Sequence, residues 1–238
     1  YYLQVLKDIN DLVEKENLTD EEAEAAVKDL RDTIELLTPA KQQTQPDQPI
    51  TGQKKAQAIT AKDVTKSLGT KAFALGAKTS GDGALSYSSS DNKVATVETA
   101  SGKVTLKGVG VCTITVTAAE TANYKSATAS VKITVNPKKA AISKVKVAKG
   151  KKLTVSWNKD TTVTGYEVQC ALKKNFKSGL KKATIKKAGT SSTTFKKLTK
   201  NKKYYVRIRA YKTVKVNGKS VKLTGTWSNV KTSGKIKK

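Results

Sequence analysis

The sequence has no histidine and no methionine, and only two cysteines. Its last hundred residues contain only two acids, Asp160 and Glu167. Each shortage excludes a class of chemistry. Without histidine there is no Ser-His-Asp or Cys-His nucleophile system and no imidazole-bound metal. Cys112 runs in phase with Ile114 and Val116, and Cys170 in phase with Tyr166 and Val168. Each thiol therefore points into a different predicted core, out of disulfide reach, and reads as a small apolar filler. No apolar run approaches the ~18 residues needed to cross a bilayer, so no membrane span is expected. Aromatics make up 5% of the chain and apolar residues 37%, so its cores must be small and built mostly from Val, Ile, Leu and Ala. The chain opens Tyr1-Tyr2-Leu3 and reads as a piece of something longer. The lack of a targeting segment therefore says nothing about where the parent protein resides.

Paired carboxylates are equally scarce where a β fold would need them. Asp160 and Glu167 lie seven residues apart, and Glu167 faces outward if its neighbour Tyr166 faces in. A glycosidase pair needs two carboxyls about 5–9.5 Å apart in a cleft. Asp20, Glu21 and Glu22 cluster at a helix start, where they answer the helix dipole. Asp82 and Asp91 are lone acids in turns, too few oxygens for calcium. No catalytic residue, cofactor or metal site is expected.

What is abundant is lysine. Lys plus Arg number 46 against 19 Asp plus Glu, a net charge of +27. Residues 1–40 carry 4 bases and 11 acids, residues 41–137 carry 12 and 6, and residues 138–238 carry 30 and 2. Such blocks mark separate folding units. A predominantly β architecture is expected: two tandem β-sandwiches preceded by an α-helical hairpin. The spans are 1–38 for the hairpin, 39–56 for a linker, and 57–137 and 138–238 for the sandwiches.

In the first span Thr19-Asp20-Glu21-Glu22 forms a capping box. Ala23, Val27, Leu30, Ile34 and Leu37 follow as one apolar helical stripe, stopped by Pro39. The pattern resembles the FIVAR-type helical modules of Gram-positive surface proteins. Residues 39–56 hold three Pro and five Gln with few apolar side chains, the composition of a semi-stiff spacer.

Between 57 and 137 short strand-like runs recur with turn signals between them. In Cys112-Thr113-Ile114-Thr115-Val116 apolar residues alternate with Thr, so one face is buried and the other wet. About seven antiparallel strands are expected. The stretch SSSDNKVATVETASGKVTLKGVGVCTITVTAAETANY resembles bacterial Ig-like (BIG) domains. In the last span Leu153, Val155 and Trp157 alternate, as do Tyr166, Val168 and Cys170, and then Tyr204, Val206, Ile208 and Ala210. Leu198 with Tyr204 resembles the tyrosine corner of Ig-like sandwiches. Together with LTVSW, GYEVQ and YYVRIRAY, this span resembles a fibronectin type III domain.

Two features on the last span could bind something. Tyr205, Arg207, Arg209 and Tyr211 alternate on the outward face of a long strand, and Trp227 falls on the same face if Val230 points in. This resembles the Trp–Arg ladder of some fibronectin type III domains, where cation–π stacking stiffens the sheet; a sugar-binding platform is the alternative. Asn217-Gly218 demands a two-residue hairpin turn, and that tip, with Lys219, is the expected contact loop. The lysine excess would attract anionic polymers with strong salt dependence. Lysine lacks the arginine fork, and there is no recognition helix, so sequence-specific nucleic-acid binding is not expected.

Odd strand counts bring chain ends out at opposite poles, and the connection between the sandwiches is short and contains Pro137. The expectation is a non-catalytic, extracellular stalk or adhesion segment of a large cell-surface protein of a Gram-positive bacterium, monomeric in itself. The alternative is a polyanion- or carbohydrate-binding ancillary module of a secreted glycoside hydrolase, with cell-wall or host glycans as partners.

Overall fold

The computed structural model describes residues 19–25, 27–28 and 54–238. Contacts divide the chain into two units, Tyr1–Gln53 and Lys54–Lys238. In the first unit residues 20–25 and 27–28 are helical. The capping box is closed in both directions. Glu22 N donates to Thr19 Oγ1 at 3.4 Å and Thr19 N donates to Glu22 Oε2 at 3.2 Å. The rest of the expected helical hairpin, and the linker up to residue 53, lie outside the described residues.

The second unit opens with a sandwich of nine strand segments: β1 (Ile59–Thr60), β2 (Val64–Ser67), β3 (Phe73–Ala74), β4 (Lys78–Thr79), β5 (Leu85–Ser89), β6 (Ala95–Val97), β7 (Lys103–Leu106), β8 (Gly110–Ala118) and β9 (Ala127–Asn136). One sheet runs β2-β9-β8-β5, the facing one β3-β7-β6, and β1 pairs with β4. The core is aliphatic, with Val104, Ile114, Val116, Val131, Ile133 and Val135 at its centre. Strand β8 alternates buried and half-buried along its whole length, as a strand with one wet face must. Gly102 shows why the β6–β7 turn needs glycine. Its φ is +65°, and a Cβ there would lie 2.6 Å from the Tyr87 ring.

This sandwich corrects the expectation of seven antiparallel strands. Strands β1 and β2 were not anticipated, and β2 pairs parallel to β9, Val64 beside Ile133. Both are short and carry little apolar alternation (Ile59-Thr60; Val64-Thr65-Lys66-Ser67), so period-2 reading passes over them. A parallel pair also needs a long crossover, which here is almost the whole sandwich.

The second sandwich comprises β10 (Ile142–Ala148), β11 (Lys152–Trp157), β12 (Gly165–Ala171), β13 (Lys181–Ile185), β14 (Ser192–Phe195), β15 (Tyr205–Val216), β16 (Lys219–Thr224) and β17 (Lys231–Thr232). Its sheets are β10-β11-β14 and β13-β12-β15-β16, with β17 also on β15. The alternating residues read from the sequence converge in one core that includes Leu153, Val155, Trp157, Tyr166, Val168 and Ile208. The Tyr204 hydroxyl accepts a hydrogen bond from Thr199 N at 3.1 Å, closing the tyrosine corner. After β16 the strand is interrupted, and two buried serines complete the ladder beside β15. Ile208 N donates to Ser228 Oγ, and Tyr204 N to Ser233 Oγ.

The chain enters each sandwich at one pole and leaves at the other. Lys55 bridges to Tyr124, just before β9, and the exit follows Asn136 at the far end of that ten-residue strand. In the second sandwich β10 leads away from the junction, and Lys151 N, at its far turn, donates to Lys237 O near the chain's end.

Candidate functional site

The outward face of the β13-β12-β15-β16 sheet carries one continuous stack. Register sets its rungs: Gln169 pairs with Arg207 and Glu167 with Arg209 across β12 and β15. Arg207 Nε and Nη2 both donate to Gln169 Oε1, at 2.9 and 2.8 Å. Its guanidinium lies over the Phe176 ring at 4.0 Å and the Trp227 ring at 4.3 Å. Arg209 lies over Trp227 at 4.5 Å and donates through Nε to Glu167 Oε2 at 2.6 Å. Lys222 Nζ donates to the other Glu167 oxygen and sits 4.2 Å over Tyr211. Ring and cation thus alternate from Phe176 through Arg207 and Trp227 to Arg209, and the Glu167 carboxylate bridges Arg209 to Lys222, which covers Tyr211.

The electrostatics follow from this arrangement. Burial pushes the Glu167 carboxyl up, but hydrogen bonds from Lys222 and Arg209 and their charges outweigh it and hold it below the usual carboxylate range. Burial, helped by the neighbouring Arg209 charge, lowers Arg207 from its ordinary value. Elsewhere, burial raises both thiols, Cys170 to about 12. They lie in separate cores as free cysteines and are protonated at neutral pH.

The five residues of the expected row lie on this face. Arg207, Arg209 and Trp227 stack together. Tyr211 joins through Lys222 and is buried, its hydroxyl donating to Ile185 O at 3.4 Å. Tyr205 continues the row half-buried, without a ring contact. Phe176, Gln169 and Lys222 were missed. Phe176 sits in the loop after β12 at φ +59°, and no periodicity points to a loop side chain. Most of the polar reach of the row is spent within it: Arg207 on Gln169, and Arg209 and Lys222 on Glu167. The rings of Phe176, Trp227 and Tyr211 each carry a cation.

Asn217 and Gly218 have φ of +49° and +76°, as a primed two-residue turn requires. Lys219 pairs with Val216 beside that exposed tip. The hairpin does not stand free along its length. Its β15 arm meets β8 and its β16 arm meets β9 of the preceding sandwich. The connecting segment is held tightly. A Cβ on Gly225 would lie 2.9 Å from Pro137 O and 3.1 Å from Lys138 O. Lys139 Nζ donates to Asn229 Oδ1 at 2.8 Å. Beside this segment lies a cleft of about 470 Å³ with a mixed lining that includes Leu68, Ala140, Ala210, Lys138, Lys159 and Asp160. The Asp160 carboxylate is turned onto its own loop, accepting from Thr162 N and Oγ1. Among the described residues no cluster of three or more Cys, Asp or Glu could hold a metal, and no helix is long and apolar enough to cross a membrane.

Tandem Ig-like and fibronectin-like sandwiches are the class this fold defines, and family comparison agrees. Residues 74–120 match the model described as the intimin immunoglobulin-like domain, and residues 140–232 match the fibronectin type III domain. No curated protein matches the chain. Among solved structures, a cytokine receptor complex is similar at 13% identity and TM-score 0.42, covering 76% of this chain and 98% of that one. The chicken CNTN1 FN1-FN3 domains are similar at 13% identity and TM-score 0.36, covering 77% and 68%. A structure described as a myokine is similar at 18% identity and TM-score 0.33, covering 42% and 99%. Ig-like and fibronectin type III domains fit an extracellular adhesion or stalk module.

Proposed function

We propose that this chain is a non-catalytic spacer of a bacterial cell-surface or secreted protein, setting distance between the parts joined to it. The observation that carries this reading is the path of the chain. Each sandwich is entered at one pole and left at the other, and the segment between them is clamped at Gly225 and Asn229. Strand β9 alone spans about 33 Å at 3.3 Å for each of its ten residues. Two such bodies in series separate their outer poles by roughly 60 Å. The stacked face of the second sandwich supports the same role, because its cations and rings are engaged with one another and stiffen the sheet. The Gram-positive wall as setting follows from the FIVAR-type resemblance of residues 1–38.

Single-molecule energy transfer tests the reading, with dyes on cysteines introduced as Ala122→Cys and Lys235→Cys. A narrow distribution near roughly 60 Å is expected. A dominant population near half that value means the sandwiches fold back on each other, and the spacer reading fails.

A further inference from the structure

The second sandwich does not spread its charge evenly. Three connections and the chain's last residues meet at the pole away from the first sandwich: the β10–β11 turn, the β12–β13 loop, the β14–β15 loop and residues 233–238. Backbone hydrogen bonds tie three of these together. Leu198 N donates to Lys151 O, Asn201 N to Ile236 O and Ile236 N to Lys202 O. Register brings the fourth alongside, since Ala171, at the start of the β12–β13 loop, pairs with Tyr205.

Lysines crowd this pole. There are three in 149–152, three in 172–180, five in 196–203 and three in 234–238, making fourteen of the twenty-eight in residues 138–238. All fourteen are exposed. Among the described residues none of them is in an ion pair. The domain's two acids are elsewhere. Asp160 is in the β11–β12 loop at the junction pole, and Glu167 is engaged on the sheet face. Fourteen unpaired like charges at one end raise a local positive potential and concentrate counterions there.

We infer that this distal lysine pole binds a flexible linear polymer bearing repeated phosphate or sulfate esters. Lysine meets a single oxyanion as a point charge at the tip of a long stem, and these segments contain no arginine to fork onto a planar group. The only rings in the four segments, Phe176 and Tyr204, are buried, so bases find no stacking platform. Binding releases counterions from the polymer, which makes it steeply dependent on salt. The inference concerns contact rather than spacing and stands or falls independently of the distance measurement above.

The test uses the full chain with two soluble probes, poly(glycerol phosphate) and heparin, at several salt concentrations. These arms separate phosphate from sulfate as the group recognised. One variant carries Lys→Gln at 196, 200, 202, 203 and 237. A matched variant carries Lys→Gln at 144, 159, 186, 187 and 215, all exposed and toward the junction end of the second sandwich. At about 0.15 M salt the pole variant is expected to bind at least one probe roughly tenfold or more weakly than wild type. Its log–log salt slope should fall by up to about 3.5, at ~0.7 per lost contact. The matched variant is expected to lose less than about threefold. Thermal unfolding of both variants confirms that they fold. No binding of either probe at this salt overturns the inference, as do equal losses in the two variants. Tighter binding to duplex DNA than to either polymer, or binding confined to anionic lipid vesicles, also overturns it.

Discussion

The two sandwiches solve the same packing problem with opposite surfaces. The first turns a hydroxyl face to water: Thr113, Thr115 and Thr117 of β8 stand beside Lys132, Ser130 and Thr128 of β9. Its excess of positive charge is modest, 12 bases against 6 acids over residues 41–137, and it seals its entry pole with Gln57, a buried amide that donates to Ala119 O and Lys125 O and accepts from Thr79. The second carries 30 bases against two acids over residues 138–238. It cannot neutralise arginines with carboxylates it does not have. One acid, Glu167, holds both Arg209 and Lys222, and the rings of Phe176, Trp227 and Tyr211 take the place of the missing partners. A strongly cationic sheet is ordered here by π faces where carboxylates are few, and half of the domain's lysines are left to solvent at the far pole.

The largest effects should come from the cores, which test whether the two bodies melt separately. Ile133→Ala and Leu153→Ala each remove a fully buried side chain, one from each core. Each should cost about 2–5 kcal/mol. Calorimetry should show two transitions, with each substitution lowering only its own. A single transition shifted equally by both would merge the bodies into one cooperative unit.

Next comes the contrast between the outward faces. Trp227→Ala removes a ring stacked on two guanidinium groups and should lower the second sandwich by roughly 1–3 kcal/mol, from two cation–π contacts plus lost packing. Thr115→Ala on the first sandwich's face should stay within about 0.5 kcal/mol. Equal effects in urea titrations would mean that the stack does not stiffen the sheet.

The smallest effects are titrations. Glu167 is held below its unfolded value, near 4.3, so its contribution is present above that pH and fades as pH falls through the lower folded value. Glu167→Gln should remove this acid-side dependence from the second transition and cost about 1 kcal/mol at neutral pH. Cys170 behaves in the opposite sense. Its folded value of about 12 exceeds the unfolded one, so stability falls as pH rises above roughly 8.5, where only the unfolded thiol ionises. Comparing wild type with Cys170→Ala between pH 8 and 10 should show the slope lost in the variant. An unchanged slope would mean that the thiol is not shielded.

Much of this was legible in the chain itself because it depends on near neighbours. The alternation of Tyr204, Val206, Ile208 and Ala210, the Thr19–Glu22 box, the Asn217-Gly218 turn and the inward phase of both cysteines are local patterns with one low-energy outcome. The outward row of Arg207, Arg209 and Trp227 was legible for the same reason, since a period of two assigns faces without knowledge of partners. What tertiary structure alone decided is what joins distant residues. The parallel pairing of β2 with β9 closes a loop of some sixty residues, and neither strand announces its partner. Phe176 reaches Arg207 from a loop with a left-handed backbone, the hairpin of β15 and β16 meets the first sandwich, and Gly225 lies against Pro137 and Lys138 where a side chain has no room. The lysine count was plain in the composition. Its gathering at one pole was not, because it arises from four connections far apart in sequence that the sandwich brings to the same end.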